Sequence, residues 1–186
     1  KVPEMFRHDY IEDYSKALPL VALNPKERKA EPVTLEQFTK WAQLVNMKNK
    51  ELEAFLDSDL GKKAGINKKQ QKEFGGINRG RTSGFAILRM RKKLGLGKPK
   101  DYIDPRPSVI KIYYETALGK WGAYRKWNET DWYWCRRQIS FNSRARGQSG
   151  PYTDKKGRPT RKLLSLWVWG HDPWRYARKI EGKERM

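Results

Sequence analysis

One stretch, residues 129–174, carries the strongest structural signals in the sequence: ETDWYWCRRQISFNSRARGQSGPYTDKKGRPTRKLLSLWVWGHDPW. It contains five of the eight tryptophans, the single cysteine, one of the two histidines and nine lysines and arginines. Asn128 is a candidate N-cap, and Glu129 and Asp131 place acid in the first turn, where the helix dipole favours it. The pattern predicts a helix that ends at Gly147.

The second half of the stretch predicts a turn and another helix. Asp154 and Gly157 are typical turn residues within GPYTDKKGRP. Thr160 is suited to cap a helix that carries aliphatic and aromatic residues and ends at Gly170. We expect Trp132, on one apolar face with Cys135 and Ile139, and Trp167 and Trp169, among aliphatic residues, to pack inward. The alternatives are that they stack on bases or anchor a protein interface. Residues 129–186 therefore form a basic, tryptophan-rich, helix-turn-helix-like unit with a charged tail.

The remainder of the chain predicts short helices. Thr34 and Gln37 form a capping box before a helical repeat of apolar residues. A second helix is expected to end at Gly61, a polar one to cover 67–76, and a fourth to begin at Ser83 and end at Gly95. Residues 109–115 are compatible with a strand or with a short helix. The predicted fold is mainly α, with long irregular connections and at most a small β element at 109–115.

Four segments follow from the proline, glycine and charge pattern. Residues 1–33 predict an extended N-terminal arm, and 34–95 a small helical domain. Residues 96–128 predict a linker rich in proline, glycine and aromatics, which separates that domain from 129–186.

The charge of the chain is large and uneven. The formal net charge is +20 over 186 residues. Residues 1–60 contain nine lysines and arginines and eleven acids, whereas 61–186 contain 32 and ten. Such a charge repels itself unless a polyanion lies near, so we expect nucleic acid, an anionic membrane or an acidic protein as partner. The alternative is a solvated basic surface with no dedicated partner.

The sequence contains candidate catalytic residues, but not the partner residues that catalysis by them requires. A cysteine nucleophile needs a base, and only His8 and His171 are available. Cys135 lies on the predicted apolar face, where a free cysteine is a small core residue. His171 is expected to cap carbonyls at a helix end or to contact phosphate. With no zinc-type spacing and no phosphate-binding glycine motif, we predict no catalytic residue, metal or cofactor, and no enzyme activity.

Arginine and lysine clusters predict the contact surface, since these side chains bind phosphates and carboxylates. The expected contact residues for nucleic acid or an acidic partner are Arg79, Arg81, Arg89, Arg91, Lys92, Lys93, Arg136, Arg137, Arg144, Arg146, Lys155, Lys156, Arg158 and Arg161. Trp121, Trp127 and Trp174 lie in loop-like basic surroundings and are the expected protein-interface anchors.

Two stretches resemble known families. Residues 51–93, ELEAFLDSDLGKKAGINKKQQKEFGGINRGRTSGFAILRMRKK, are similar to a segment of uncharacterised proteins from tailed phages and large double-stranded DNA viruses. Residues 127–173, which end in GRPTRKLLSLWVWGHDP, resemble a second uncharacterised viral domain. The resemblance implies a viral source and transfers no reaction.

The expected function is that of a viral structural protein, a minor capsid or virion component. It would bind neighbouring capsid or tail shell subunits and, through its basic face, the packaged DNA. The alternative is a soluble nucleic-acid-binding accessory protein of a virus. The single cysteine fits assembly in a reducing intracellular compartment, and no apolar run reaches the length of a membrane span.

Overall fold

The computed structural model describes residues 30–64, 79–96 and 103–175. Within these ranges the chain is mainly α-helical, as predicted, and contains no strand. The α-helices are α1 Leu35–Leu44, α2 Asn49–Asp57, α3 Asp59–Lys63, α4 Arg79–Lys93, α5 Pro107–Ala117, α6 Glu129–Gly147 and α7 Arg161–Val168. The predicted arm up to residue 29, the predicted helix at 67–76 and the tail from 176 lie outside the described residues.

Three predicted helix starts are confirmed by their caps. The Thr34 side chain accepts a hydrogen bond from the Gln37 amide, and the Gln37 side chain accepts one from the Thr34 amide. Asn128 and Asp131 make the same reciprocal pair at the start of α6. Thr160 caps α7. Each cap satisfies backbone amides that a helix start otherwise leaves without partners.

Two predicted boundaries are wrong. Gly61 lies inside α3 rather than at the end of the second helix, and a Cβ there would lie 1.9 Å from the Phe55 carbonyl oxygen. Ser83 does not cap the fourth helix, because α4 already includes Arg79 and Ser83 is buried within it. At Gly61 the Phe55 carbonyl leaves no room for a side chain, and at Ser83 the helix begins before the predicted cap.

Residues 109–115 belong to a helix, so the β alternative is wrong. Pro107 stands at the start of α5, where its fixed φ suits a helix and its missing N–H costs no hydrogen bond. Ile110 and Ala117 are buried against α1, while Ile112 is exposed. The alternating apolar residues that suggested a strand therefore lie on different sides of a helix, some buried and some exposed.

The hydrophobic core is built around α6, which packs against α1, α4 and α7. Every residue from Asp131 to Cys135 is buried, so the first half of α6 is enclosed rather than amphipathic. One continuous cluster includes helices from both sides of 96–128. The predicted division between 34–95 and 129–186 is thus absent from the packing of the described residues, where the two parts share one core.

Aromatic rings form the centre of this core. Its members are Phe38, Trp41, Tyr114, Trp127 and Trp132, whose contacting ring centroids lie between 4.9 and 6.3 Å apart. The Trp127 indole donates to the Met90 carbonyl at 3.0 Å, and the Trp41 indole donates to the Gln138 side chain. Buried indoles need such partners. The rings thereby connect α1, α4, α5 and α6.

A buried ionic cluster connects α4 to the start of α6. Asp131 is fully buried, and its carboxylate accepts from the Asn128 amide at 3.0 Å. The same carboxylate binds Arg89 at 2.9 Å and Lys93 at 2.6 Å. Both cations come from successive turns of α4, four residues apart, which places them on one side of that helix.

Replacing Asp131 by asparagine tests this cluster. Asp131→Asn keeps the shape of the side chain but leaves Arg89 and Lys93 without their shared anion, so we expect a loss of about 3 kcal/mol in the free energy of unfolding. Urea denaturation measures it. Glu31→Gln, which removes an exposed carboxylate that precedes α1, is the control and should change stability by less than about 0.5 kcal/mol. Equal effects of the two substitutions would contradict the assignment.

Candidate nucleic-acid interface

The structure divides the predicted contact residues into internal and exposed groups, and Arg91 is the clearest internal case. It is fully buried. Its guanidinium donates to the Val45 carbonyl at 2.6 Å, to the Met47 carbonyl and to the Asn49 side chain at 2.8 Å. These carbonyls follow the C-terminus of α1, whose dipole favours a cation. The prediction that Arg91 contacts a partner is therefore wrong.

Other cations of α4 are also engaged within the fold. Arg81 donates to the Leu56 carbonyl at 2.9 Å and lies over the Phe85 ring. Arg89 and Lys93 bind Asp131, while Lys92 is exposed. The side chain of Arg79 lies outside the described residues. The described cations of α4 therefore mainly stabilise the fold, and among them Lys92 is the exposed one.

The second predicted cluster lies on α6, on the turn at 151–160 and at the start of α7. We call it the α6–α7 basic surface, and its members are Arg136, Arg137, Arg144, Lys155, Lys156, Arg158 and Arg161. All are exposed except Arg137, which is half-buried and lies over the Tyr133 ring. Arg146, also predicted, is half-buried beside this surface.

The C-terminal half of α6 supplies one part of this surface. Its exposed positions, Ser140, Ser143, Arg144 and Gly147, with Arg136 one turn before them, recur at helical spacing and lie along one side of the helix. Arginine guanidinium groups and serine hydroxyl groups both donate hydrogen bonds to phosphate oxygens. The opposite side of the same half carries buried residues of the core.

The turn at 151–160 holds its cations on a fixed backbone. The Asp154 carboxylate accepts from the backbone amides of Lys156 at 2.8 Å and Arg158 at 2.9 Å, and also from the Arg158 side chain. The hydrogen bond from the Arg158 amide is the main cause that lowers the pKa of Asp154. Gly157 adopts φ +76°, which favours glycine. Lys155 and Lys156 are both exposed on this turn.

Lys162 joins the turn to both helices. Its ammonium group donates to the carbonyls of Gln148 and Gly150, just after α6, and lies 4.7 Å from the centre of the Tyr152 ring. Tyr152 in turn contacts Trp174, with ring centroids 6.0 Å apart. The end of α6, the turn and the start of α7 are therefore held together, so their cations share one region of the surface.

Acidic residues are almost absent from the stretch of sequence that supplies this surface. Between residues 132 and 171 the chain contains nine lysines and arginines and one carboxylate, Asp154. That carboxylate is occupied by the turn that it stabilises. Within this stretch, nine positive side chains are therefore opposed by a single carboxylate.

The predicted tryptophan anchors do not share one environment. Trp127 is 1% exposed and belongs to the aromatic core, so the prediction that it anchors a partner is wrong. It follows a basic, glycine-containing loop in sequence, and only the tertiary structure buries it. Trp121 and Trp174 are 61% and 44% exposed, as an anchor must be, and their role stays a prediction. Trp132 and Trp169 are buried and Trp167 is half-buried, in agreement with the expected inward packing.

Cys135 and His171 are both enclosed by the core. Burial raises the pKa of the Cys135 thiol, which favours the protonated, unreactive form. His171 is buried, and its Nδ1 lies 2.6 Å from the Leu44 carbonyl oxygen. Of the two expected roles, carbonyl capping fits this position, and contact with phosphate does not.

Among the described residues, neither a metal-ligand cluster nor a membrane-spanning helix is present. Within 30–64, 79–96 and 103–175, no three side chains of His, Cys, Asp or Glu come together as metal ligands. None of the helices in those ranges has the length and apolar character needed to cross a membrane.

Comparison with known proteins gives no match to a family model, a curated protein or a solved structure. The resemblance of residues 51–93 and 127–173 to viral proteins therefore stays a prediction.

The buried imidazole of His171 predicts acid sensitivity. Burial, assisted by Arg146, lowers its pKa to about 4 from the ordinary 6.5, although the Leu44 carbonyl acts in the opposite direction. The unfolded chain then takes up a proton at a higher pH than the folded chain. The contribution of His171 to the free energy of unfolding should therefore be fully present above pH 6.5. It should fall by up to about 3 kcal/mol as the pH drops from 6.5 to 4.

Chemical denaturation at several pH values measures this fall. His171→Gln removes the titrating group, and its unfolding free energy should lose less between pH 6.5 and 4 than that of the wild type. Parallel pH profiles of the two proteins would show that other groups control the acid response.

Proposed function

We propose that this chain is a non-enzymatic nucleic-acid-binding protein of a virus particle, in which the α6–α7 basic surface contacts the phosphate backbone. The observation that carries the proposal is the exposure of six cations, on two helix segments and a fixed turn, along a stretch of sequence, 132–171, that contains one carboxylate. Cations that protrude from a rigid backbone lose little conformational freedom when they bind an anion.

The start of α7 supports an anionic partner. Its first turn contains no acid and begins with Arg161 and Lys162. Cations are unfavourable at this end of a helix dipole, whereas a bound anion is favourable. A phosphate near Arg161 would therefore interact with the side-chain charge and with the helix dipole together.

The chemistry of the surface favours sequence-tolerant binding. Its side chains are mainly arginine, lysine and serine, which contact phosphate oxygens without reading bases. Such binding depends strongly on salt, because each phosphate that is neutralised releases condensed counterions. We expect similar affinities for duplexes of different sequence at equal salt.

The virion setting is a proposal that rests on the viral resemblance and on the net charge of +20. Packaged genomes are dense polyanions, and basic proteins reduce their repulsion. Trp174, exposed at the edge of the basic surface, is the proposed anchor for a neighbouring shell subunit.

Removing two exposed lysines of the turn tests phosphate contact. Lys155→Gln with Lys156→Gln should weaken duplex binding and reduce the slope of log affinity against log salt by about 2, since each lost contact removes about 1. Anisotropy of a labelled duplex at several salt concentrations measures both quantities. Neither side chain is needed by the core, so the free energy of unfolding should stay within about 0.5 kcal/mol.

A matched control removes the same charge elsewhere. Lys40→Gln with Lys111→Gln changes two exposed lysines on α1 and α5 and should leave the slope nearly unchanged. A control that weakens binding as much as the turn variant would show that net charge, and not this surface, determines affinity. Wild-type protein that fails to bind at low salt would reject nucleic acid as the partner.

Composition of purified particles tests the virion setting. Mass spectrometry of disrupted particles should detect the chain in a fixed ratio to a shell protein. A chain that binds DNA but is absent from particles would instead favour the soluble accessory role.

A further inference from the structure

A surface loop between α5 and α6 presents two aromatic side chains to solvent. Trp121 is 61% exposed and Tyr124 is 79% exposed. Within the described part of the chain, the Trp121 ring packs against no other aromatic ring. In a chain that buries most of its tryptophans, this exposure has no role in the core. We call residues 118–126 the aromatic loop.

The aromatic loop is fixed at its base. The Trp127 amide donates to the Ala117 carbonyl at 2.9 Å, which closes the loop where it leaves α5. The Trp127 ring lies in the aromatic core, so the exit of the loop cannot move freely. Closed loops of this length are compact and often functional. The exposed rings therefore stand on a well-defined support.

Glycines shape the loop around its side chains. Gly119 and Gly122 have φ values of +91° and +134°. A Cβ on Gly122 would lie 3.1 Å from the Tyr124 ring, so the ring lies directly over this backbone. A Cβ on Gly119 would lie 3.0 Å from the Lys126 side chain, which packs there in the same way. The two glycines thus let an aromatic ring and a cation lie close to the backbone.

The charge of the loop is positive throughout. Lys120, Arg125 and Lys126 are exposed, and residues 116–128 contain no acid. The Arg125 guanidinium lies 5.4 Å from the centre of the Tyr124 ring, and Lys120 pairs with Glu115 at 3.3 Å. Aromatic faces next to cations are the combination with which proteins hold single-stranded nucleic acid, because bases stack on the rings and phosphates meet the charges.

We propose that the aromatic loop is a second nucleic-acid contact, specific for single strands, in which bases stack on Trp121 and Tyr124. This inference rests on the proposed function in taking nucleic acid as the anionic partner. It differs in mechanism, since the α6–α7 basic surface binds phosphates only. Bases within a duplex are stacked on each other, so only an unpaired strand offers its bases to Trp121 and Tyr124.

The test compares three labelled probes of equal length: oligothymidylate, an abasic strand and a duplex. The wild type should bind oligothymidylate about 10-fold or more tightly than the abasic strand, because only the former has bases to stack. Trp121→Ala should remove most of that difference while leaving abasic and duplex affinities unchanged. Trp121→Phe keeps a ring and should retain most of the difference.

Leu60→Ala is the control, since Leu60 is an exposed apolar residue on α3, outside the loop, and its loss should leave all three affinities unchanged. Equal affinity of the wild type for oligothymidylate and the abasic strand would overturn the inference. Intact duplex binding in that case would leave the proposed function standing. Binding to phosphatidylserine vesicles that depends on Trp121, without any preference for bases, would assign the loop to a lipid surface and also overturn the inference.

Discussion

The buried carboxylate of Asp131 is the interaction on which the arrangement of the helices depends. It caps the start of α6 through Asn128 and binds Arg89 and Lys93 of α4. A buried carboxylate is costly unless cations and hydrogen bonds surround it, so α4 can pack here only with that side turned toward α6. The orientation of these two helices then places Tyr114 of α5 and Trp127 against Trp132, and Trp127 in turn contacts the α1 rings.

This use of cations inside the fold determines which cations remain for a partner. Arg91 holds the carbonyls after α1, while Arg89 and Lys93 neutralise Asp131. The fold thereby removes most of one predicted cluster from the surface. On the turn at 151–160 the roles are reversed, because the single carboxylate, Asp154, fixes the backbone and leaves Lys155 and Lys156 exposed. Similar sequence clusters thus have opposite roles.

The aromatic residues divide in a comparable way, and this division separates what was predictable from what was not. Trp132 shares one helical face with Cys135 and Ile139, so its burial follows from the pattern. Trp121 and Trp127 stand six residues apart in the same basic, glycine-containing segment, yet one is exposed and the other is in the core. Local composition cannot distinguish them, because the difference arises from a long-range hydrogen bond of the Trp127 indole to Met90 and from ring contacts with α1 and α6.

The sequence by itself determined the helical class, the caps at Thr34, Asn128 and Thr160, and the concentration of positive charge after residue 60, since each depends on neighbours in the chain or on counting. The tertiary structure alone decided that the helices on both sides of 96–128 share one core, and which arginines face inward. Burial and ion pairing depend on residues far apart in sequence: Arg91 reaches Val45 and Asp131 reaches Arg89 across more than forty positions. Contacts between residues so far apart in sequence cannot be predicted from a local sequence pattern.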